Sequence, residues 1–279
     1  MRLAEPLDQA TGLRRLFAAE PAFHSVGVLG PDPRRNARAC AALAQGLSRR
    51  GASVLVLDEA LPPYNVAGML GRLARPSEDD WTQLALPEAS MDAGEGLRIL
   101  AAAEGSVRLA GMSEQALHAL TELWRDDAPE WMLLSGRDGM PAGGLASTAD
   151  ARVLVLPGDK RWLAEGYALL KAGHAMDPRG QWLVLVEGVE HDSAQRFHAS
   201  LCGTTQRFIG VTPLFLGCLP HRRESDESLL AGLLAESLQS LQTESALNFE
   251  QYWQRLWLFS RMSHDAARRK VPHAGRHAR

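Results

Sequence analysis

The sequence predicts a doubly wound α/β domain, in which a mostly parallel sheet carries helices on both faces. Short apolar runs alternate with stretches of helical periodicity, and several of the runs are apolar at consecutive positions. Strands that are apolar on both sides are typical of parallel sheets buried between two layers of helices. Ligands of such sheets bind at the carboxyl ends of the strands. We therefore expect any functional site along that edge.

The candidate strands are short runs rich in Val and Leu. In chain order they are Val26–Leu29, Ser53–Leu57, Trp131–Leu134, Arg152–Leu156, Trp182–Val186 and Pro213–Gly217. The candidate helices repeat apolar residues at three- and four-residue steps. They are Ala37–Arg50, Ser113–Arg125, Arg161–Ala172, Ser193–Leu201 and Glu227–Gln242. The stretch Arg75–Glu95 is polar and contains two prolines, so we expect an irregular or weakly helical connection there.

The first residues of the chain predict a separate amphipathic helix. Its apolar positions recur at three- and four-residue steps, at Leu3, Leu7, Ala10, Leu13 or Arg14, and Phe17. Pro6 and Asp8 suit a first helical turn, where a missing N–H costs nothing and a carboxylate faces the positive end of the helix dipole. We predict three parts: an N-terminal helix in residues 1–21, the α/β domain in residues 22–244, and a C-terminal amphipathic helix with a basic tail in residues 245–279.

The composition limits which cellular compartment and which classes of partner fit this protein. A net charge of -3 over 279 residues gives no reason to expect nucleic acid as a partner. Cys40, Cys202 and Cys218 show neither metal-ligand nor disulfide spacing, which favours a reducing compartment. No signal-peptide core and no long uncharged apolar window is present. We expect a cytoplasmic protein whose only membrane contact is peripheral, at the inner face.

The N-terminal helix carries a motif that resembles one known family. Asp8, Gln9, Ala10, Leu13 and Arg14 match the D-Q-A-x-x-L-R motif of flagellar-number regulators in the MinD/ParA group of P-loop ATPases, the FlhG/FleN group. In that family the motif forms a helix that docks on the flagellar, signal-recognition-type GTPase FlhF and stimulates its hydrolysis. The resemblance therefore implies an FlhF-like GTPase as the partner of this chain.

Four further segments resemble the framework of the same family, and they occur in the expected order. They are Ala41–Gly51 with the strand Val54–Asp58, then Asn65–Gly71, then Gly96–Leu100, and finally Glu165–Lys171. Together with the motif, the resemblance covers most of the chain. It implies a MinD/ParA-type fold, which is compatible with the doubly wound α/β architecture that the alternating pattern predicts.

The phosphate loop of that family is changed here. Its sequence K-G-G-V-G-K-T falls on residues 31–37, which follow Gly30 and begin with Pro31. The lysine that neutralises phosphate charge corresponds to Asn36, and the hydroxyl that holds magnesium corresponds to Ala37. Proline has no N–H to offer a phosphate. These replacements remove both the charge and the donors of the loop.

The other catalytic positions are changed as well. The family's second strand ends in D-x-D, and here it ends in Asp58, Glu59 and Ala60. Glu59 would point to the opposite side from the missing aspartate in an extended backbone. The aspartate that supports magnesium corresponds to Ser135, and the asparagine that contacts adenine corresponds to Glu187. We expect Asp58 to be a structural carboxylate or a helix cap.

These changes together predict a pseudo-ATPase without a cofactor or metal. Phosphoryl transfer depends on positioned charges, and none of the required ones is retained. We expect Arg34 and Arg35 to be solvated surface side chains rather than a substitute phosphate site. Activation of a partner GTPase would survive this loss, because Gln9 can orient the attacking water and Arg14 can neutralise charge on the partner.

Aromatic and aliphatic residues near the C-terminus also repeat at helical spacing. Six of them crowd one face of the predicted helix: Phe249, Tyr252, Trp253, Leu256, Trp257 and Phe259. Members of the family reach the membrane through a C-terminal amphipathic helix, which implies a weak membrane-surface contact for this one. Packing on its own domain, or contact with a second copy or a partner, remains an equal interpretation.

Three functions follow from the sequence. The first is a non-hydrolysing, FlhG-like regulator of flagellar number or placement that activates an FlhF-like GTPase. The second is an interaction scaffold or anti-activator that holds a flagellar transcriptional activator or a motor component. The third is a working ATPase with an unusual phosphate loop.

Overall fold

The computed structural model describes residues 23–73, 80–136, 144–219, 227–239 and 247–270. The predicted N-terminal helix, with Asp8, Gln9, Ala10, Leu13 and Arg14, lies outside the described residues, and so does the end of the basic tail.

The described chain forms one sheet of eight strands. Their bounds are His24–Leu29 (β1), Val54–Asp58 (β2), Met91–Gly94 (β3), Leu97–Ala101 (β4), Trp131–Ser135 (β5), Ala151–Pro157 (β6), Gln181–Glu187 (β7) and Leu214–Leu219 (β8). The order across the sheet is β3-β4-β2-β5-β1-β6-β7-β8. Neighbouring strands are parallel except for β3 and β4, which are antiparallel. The predicted doubly wound, mostly parallel sheet is confirmed.

Helices connect these strands. Their bounds are Pro33–Arg49 (α1), Val66–Met69 (α2), Leu86–Ala89 (α3), Gly105–Gly111 (α4), Glu114–Trp124 (α5), Leu163–Met176 (α6), His191–Ile209 (α7), Glu227–Gln239 (α8) and Phe249–Lys270 (α9). Helix α7 is longer than the predicted Ser193–Leu201, because buried positions continue to Thr205. No described helix is both long enough and apolar enough to span a membrane.

Alternating side chains of the strands divide the core into two layers. On β2, Val54 and Val56 belong to the layer that α1, α2 and α8 cover. Leu55 and Leu57 belong to the opposite layer, which packs against α4, α5, α6, α7 and α9. Buried aliphatic side chains of the strands line both layers, and the second layer also contains aromatic residues, so the sheet is apolar on each face as the sequence predicted.

The connection predicted to be irregular contains more structure than expected. Within its described part, a 3-10 turn at Trp81–Gln83 and the short helix α3 lead into the edge strand β3. Trp81 is buried against Trp124 and Trp253. Strand β3 was not predicted because it lies at the edge of the sheet, where its side chains alternate between half-buried and exposed and can therefore be polar.

The C-terminal helix α9 corrects the membrane interpretation. Five of the six residues expected on a membrane-facing side are buried in the core of the domain: Phe249, Tyr252, Trp253, Leu256 and Trp257. Phe259 is half-buried and lies on a different side of the helix. The aromatic face packs against α4, α5 and the 3-10 turn Leu145–Thr148, so α9 belongs to the same core as the rest of the domain.

Candidate functional site

The carboxyl end of β1 is the position at which a P-loop would bind phosphates. Here only Gly30, Pro31 and Asp32 separate the last residue of β1 from the first residue of α1. A phosphate loop needs a longer run of inward-pointing N–H groups between strand and helix. The connection is also tight, because a Cβ on Gly30 would collide with Asn36 Oδ1 and the carbonyl oxygen of Val155.

The N-terminus of α1 is capped by its own carboxylate. Asp32 accepts hydrogen bonds from the backbone N–H groups of Arg34, at 3.0 Å, and Arg35, at 3.3 Å. Pro33 occupies the first turn and has no N–H. The donors and the positive end of the dipole that would attract a phosphate are therefore satisfied by Asp32.

Glu187 forms an ion-pair cluster beside this helix end. Its carboxylate is only 2% exposed and contacts Arg35 Nη1 at 2.6 Å and Arg38 Nη1 at 2.7 Å. Arg35 also contacts Asp32, through Nε at 3.1 Å. The prediction that Arg34 is solvated is confirmed, but the same prediction for Arg35 was wrong. A buried carboxylate needs opposite charge beside it, and Arg35 supplies part of that charge.

The two positions that the resemblance aligns with the lysine and the hydroxyl of the phosphate loop face the domain interior. Asn36 is buried and donates from Nδ2 to the carbonyl oxygen of Gly30 at 3.0 Å. Ala37 is completely buried against the sheet. Neither side chain is available to a ligand at the edge, and Asn36 instead braces the connection between β1 and α1.

Asp58 lies at the end of β2 and holds the backbone that follows it. Its carboxylate accepts from the N–H of Val66 at 2.6 Å and from the N–H of Ala60 at 3.2 Å. Val66 is the first residue of α2, so Asp58 fixes the start of that helix. Burial raises the pKa of Asp58 to about 6, although these hydrogen bonds oppose the shift.

The raised pKa predicts a pH dependence of stability. Since the folded protein keeps the Asp58 proton up to about pH 6 and the unfolded chain loses it near pH 3.8, this contribution falls as pH rises between those values. Relative to Asp58→Asn, we expect the wild-type free energy of unfolding to drop by about 2 kcal/mol from pH 4 to pH 6.5. Urea titrations at both pH values measure it. Asp126→Asn, which changes an exposed carboxylate, is the control, and parallel curves for wild type and Asp58→Asn would contradict the assignment.

Glu59, Ala60 and Ser135 complete the edge. Glu59 is buried and accepts from the N–H of Leu145 at 2.8 Å, so it orients the chain that enters β6. Ala60 is buried, and Ser135 pairs in register with Asp58 on the neighbouring strand. The positions that the resemblance aligns with the catalytic residues of the family therefore lie at one edge of the sheet, where they form contacts within the domain.

Sequence reasoning missed a second polar cluster, at the amino ends of the strands. Arg255 of α9 contacts Asp150 at 2.6 Å and Asp177 at 2.7 Å. Arg152, which is fully buried, also contacts Asp177, at 3.0 Å. Burial lowers the pKa of Arg152, opposed mainly by the charge of Asp177. The partners are far apart in the chain, and none of them belongs to a motif, so no sequence signal marks this cluster.

Comparisons with known proteins agree with this fold. No protein-family model and no curated protein sequence matches the chain. A chain of the MinC:MinD cell division complex of Aquifex aeolicus is similar in structure, with a TM-score of 0.52, 15% identity, and coverage of 92% of this chain and 100% of that one. A ParA family ATPase from Chlorobium tepidum has a TM-score of 0.52 and 14% identity over 86% of this chain and 99% of its own.

The MinD cell division protein of Aquifex aeolicus is similar as well, with a TM-score of 0.51, 13% identity, and coverage of 86% of this chain and 95% of its own. The described chain therefore has the α/β fold of the MinD/ParA-type P-loop ATPases. Sequence identity at this level shows the fold alone.

Proposed function

We propose that this chain is a non-hydrolysing, FlhG-like member of the MinD/ParA group that regulates flagellar number or placement. It binds an FlhF-like GTPase and stimulates GTP hydrolysis through the N-terminal motif around Gln9. The shared fold and the match of Asp8, Gln9, Ala10, Leu13 and Arg14 to the family motif support this proposal.

The proposal that the chain does not hydrolyse ATP rests on two carboxylates at the carboxyl edge of the sheet. Asp32 caps α1, and Glu187 is neutralised by Arg35 and Arg38. A triphosphate at this position would have to displace Asp32 from the helix end and compete with Glu187 for Arg35 and Arg38, which already contact that carboxylate at 2.6 and 2.7 Å. The chain therefore acts on its partner without a nucleotide switch of its own.

The test is GTP hydrolysis by the purified partner GTPase, measured with and without this chain. We expect the full-length protein to stimulate turnover, and Gln9→Ala to reduce the stimulated rate by about tenfold or more, because the amide no longer positions the attacking water. Thr11→Ala is the matched control, since Thr11 occupies a variable position of the same motif and should leave stimulation unchanged. Equal rates with and without the wild-type chain would rule out the activator function.

The same preparation tests the pseudo-ATPase. A ligand that binds only the folded state raises its melting temperature. We expect excess ATP and magnesium to leave the melting temperature of the isolated chain unchanged and to yield no ADP. A clear rise in melting temperature together with magnesium-dependent turnover would overturn this part and favour the working ATPase.

A scaffold or anti-activator is the second candidate, and one observation favours it. Three large apolar side chains are exposed on the segment after β2: Leu61 and Tyr64 lie before α2, and Leu73, which is 95% exposed, lies after it. Exposed apolar side chains offer contacts to a protein partner. A flagellar phenotype that survives Gln9→Ala but is lost with Leu73→Asp would favour this second function.

A further inference from the structure

A large cleft lies at the opposite edge of the sheet from the degenerate nucleotide site. It has a volume of about 1310 Å³ and opens at the amino ends of β1, β6 and β7. Pockets for small ligands measure roughly 300–1,000 Å³, so this cleft is large enough for a segment of polypeptide. Neither the family motif nor the edge described above uses it.

One wall of the cleft is a second face of α9. The helix turns its buried aromatic face to the sheet, and a separate stripe of side chains lines the cleft: Gln251, Gln254, Arg255, Leu258, Phe259, Met262, Ser263 and Ala266. These positions repeat at three- and four-residue steps, so they form one continuous strip about 22 Å long. Leu258 and Met262, 49% and 72% exposed, make its C-terminal half apolar and uncovered.

Phe23 lies in the wall of the same cleft and is the first residue that the structure describes. The N-terminal segment is therefore joined to the domain at a residue of the cleft wall. Its predicted apolar stripe runs from Leu3 to Phe17, about 21 Å as a helix, which matches the strip on α9. Residues 18–22 join this stripe to Phe23 and span at most about 18 Å, so the strip on α9 is within reach of the stripe.

We propose that residues 1–17 dock as a helix in this cleft, with the apolar stripe from Leu3 to Phe17 lying along the strip of α9 that contains Leu258 and Met262. A short tether gives the segment an effective concentration in the millimolar range, so weak helix-in-groove contacts are enough to hold it there. The docking does not depend on the proposed function. Its effect on the partner does rest on that function: the docked segment cannot contact the partner GTPase, so the partner and the cleft compete for the segment.

Limited trypsin digestion of the full-length protein tests the docking without the partner. Arg14 and Arg15 are cleavage sites within the segment. We expect slow cleavage there in the wild type, and cleavage faster by about tenfold or more in Leu258→Asp and in Met262→Asp, because a carboxylate in an apolar groove must be desolvated. Leu123→Asp is the matched control, since Leu123 is a helix-surface leucine, 47% exposed, outside the cleft, and it should leave cleavage unchanged.

Further outcomes separate the alternatives. Leu7→Asp in the segment should release it as Met262→Asp does, and the two changes together should add nothing, whereas additive effects would overturn docking at this strip. Wild-type protection that depends on protein concentration would assign the cleft to a second copy and overturn the proposal. Loss of protection on removal of residues 271–279 would also overturn it, because the tail and not the cleft would then shield Arg14 and Arg15. Equal cleavage of all variants, with unchanged melting temperatures, would also overturn it.

The GTPase assay distinguishes failure of the docking from failure of the proposed function. If both hold, Met262→Asp should stimulate the partner at lower concentration than the wild type does. Release of the segment without any stimulation leaves the docking in place and rejects the activator function. Stimulation that is equal in wild type and Met262→Asp, with equal cleavage, rejects the docking and leaves the activator function in place.

Discussion

Trp253→Ala is expected to lower the free energy of unfolding by about 3–5 kcal/mol. Trp253 is completely buried, and its ring lies 5.1 Å from Trp124, 6.1 Å from Trp81 and 6.2 Å from Phe249, measured between ring centroids. The indole N–H has no hydrogen-bond partner among the described residues, so the cost comes from lost packing and from the cavity left behind. Urea or thermal unfolding measures the effect.

Gln254→Ala is the matched control, because Gln254 is the next residue of α9 and is exposed. We expect this change to alter stability by less than about 0.5 kcal/mol. The pair of variants also tests the membrane interpretation. If Trp253 contacted a bilayer instead of the core, Trp253→Ala would weaken vesicle binding and leave unfolding in solution unchanged.

Glu187→Ala is expected to cost about 3 kcal/mol of stability. The change leaves Arg35 and Arg38 side by side in a half-buried place without the carboxylate that holds them at 2.6 and 2.7 Å. Arg35 retains Asp32, and both guanidinium groups keep some contact with solvent, so the cost lies at the lower end for a broken buried ion pair. The loss should be larger at low ionic strength, because salt screens the repulsion between the arginines.

Glu190→Ala serves as the control for this prediction. Glu190 lies three positions further on, is exposed, and makes no side-chain capping bond to α7, so its loss should be small. A double-mutant cycle of Glu187→Ala with Arg38→Ala should show coupling of more than about 1 kcal/mol. Additive effects, or a Glu187→Ala variant as stable as the wild type, would show that the cluster contributes nothing to the fold.

The described part of the fold was predictable to a large extent. Runs such as Arg152–Leu156 predicted strands whose ends shift by only one residue in β6, because a fully buried strand must be apolar at every position. The edge strand β3 escaped prediction, since an edge position lets its side chains be polar. The side-chain groups present at the carboxyl edge could also be taken from the sequence: Asn36, Ala37 and Ser135 carry neither an ammonium group nor a carboxylate.

The contacts of those same residues were not predictable. Arg35 looked like a surface arginine until the fold placed Glu187, from a distant strand, beside it. Burial of Asp58 beneath the N–H groups of Ala60 and Val66 likewise depends on how the chain turns after β2. A sequence pattern reports which chemical groups are present and on what period, but not which distant groups will meet.

The sequence by itself determined the alternation of strands and helices, the residue types at positions 31–37, after β1 and into the start of α1, and the residues at positions 8–14 that resemble the family motif. These are local properties, set by residue type and spacing. Only the tertiary structure decided that the aromatic face of α9 lies in the core, that Glu187 is neutralised by Arg35 and Arg38, and that a second face of α9 borders an open cleft. Those outcomes depend on burial and on contacts between distant segments. The periodicity of an amphipathic helix shows that it has an apolar face, but not which part of the molecule covers that face.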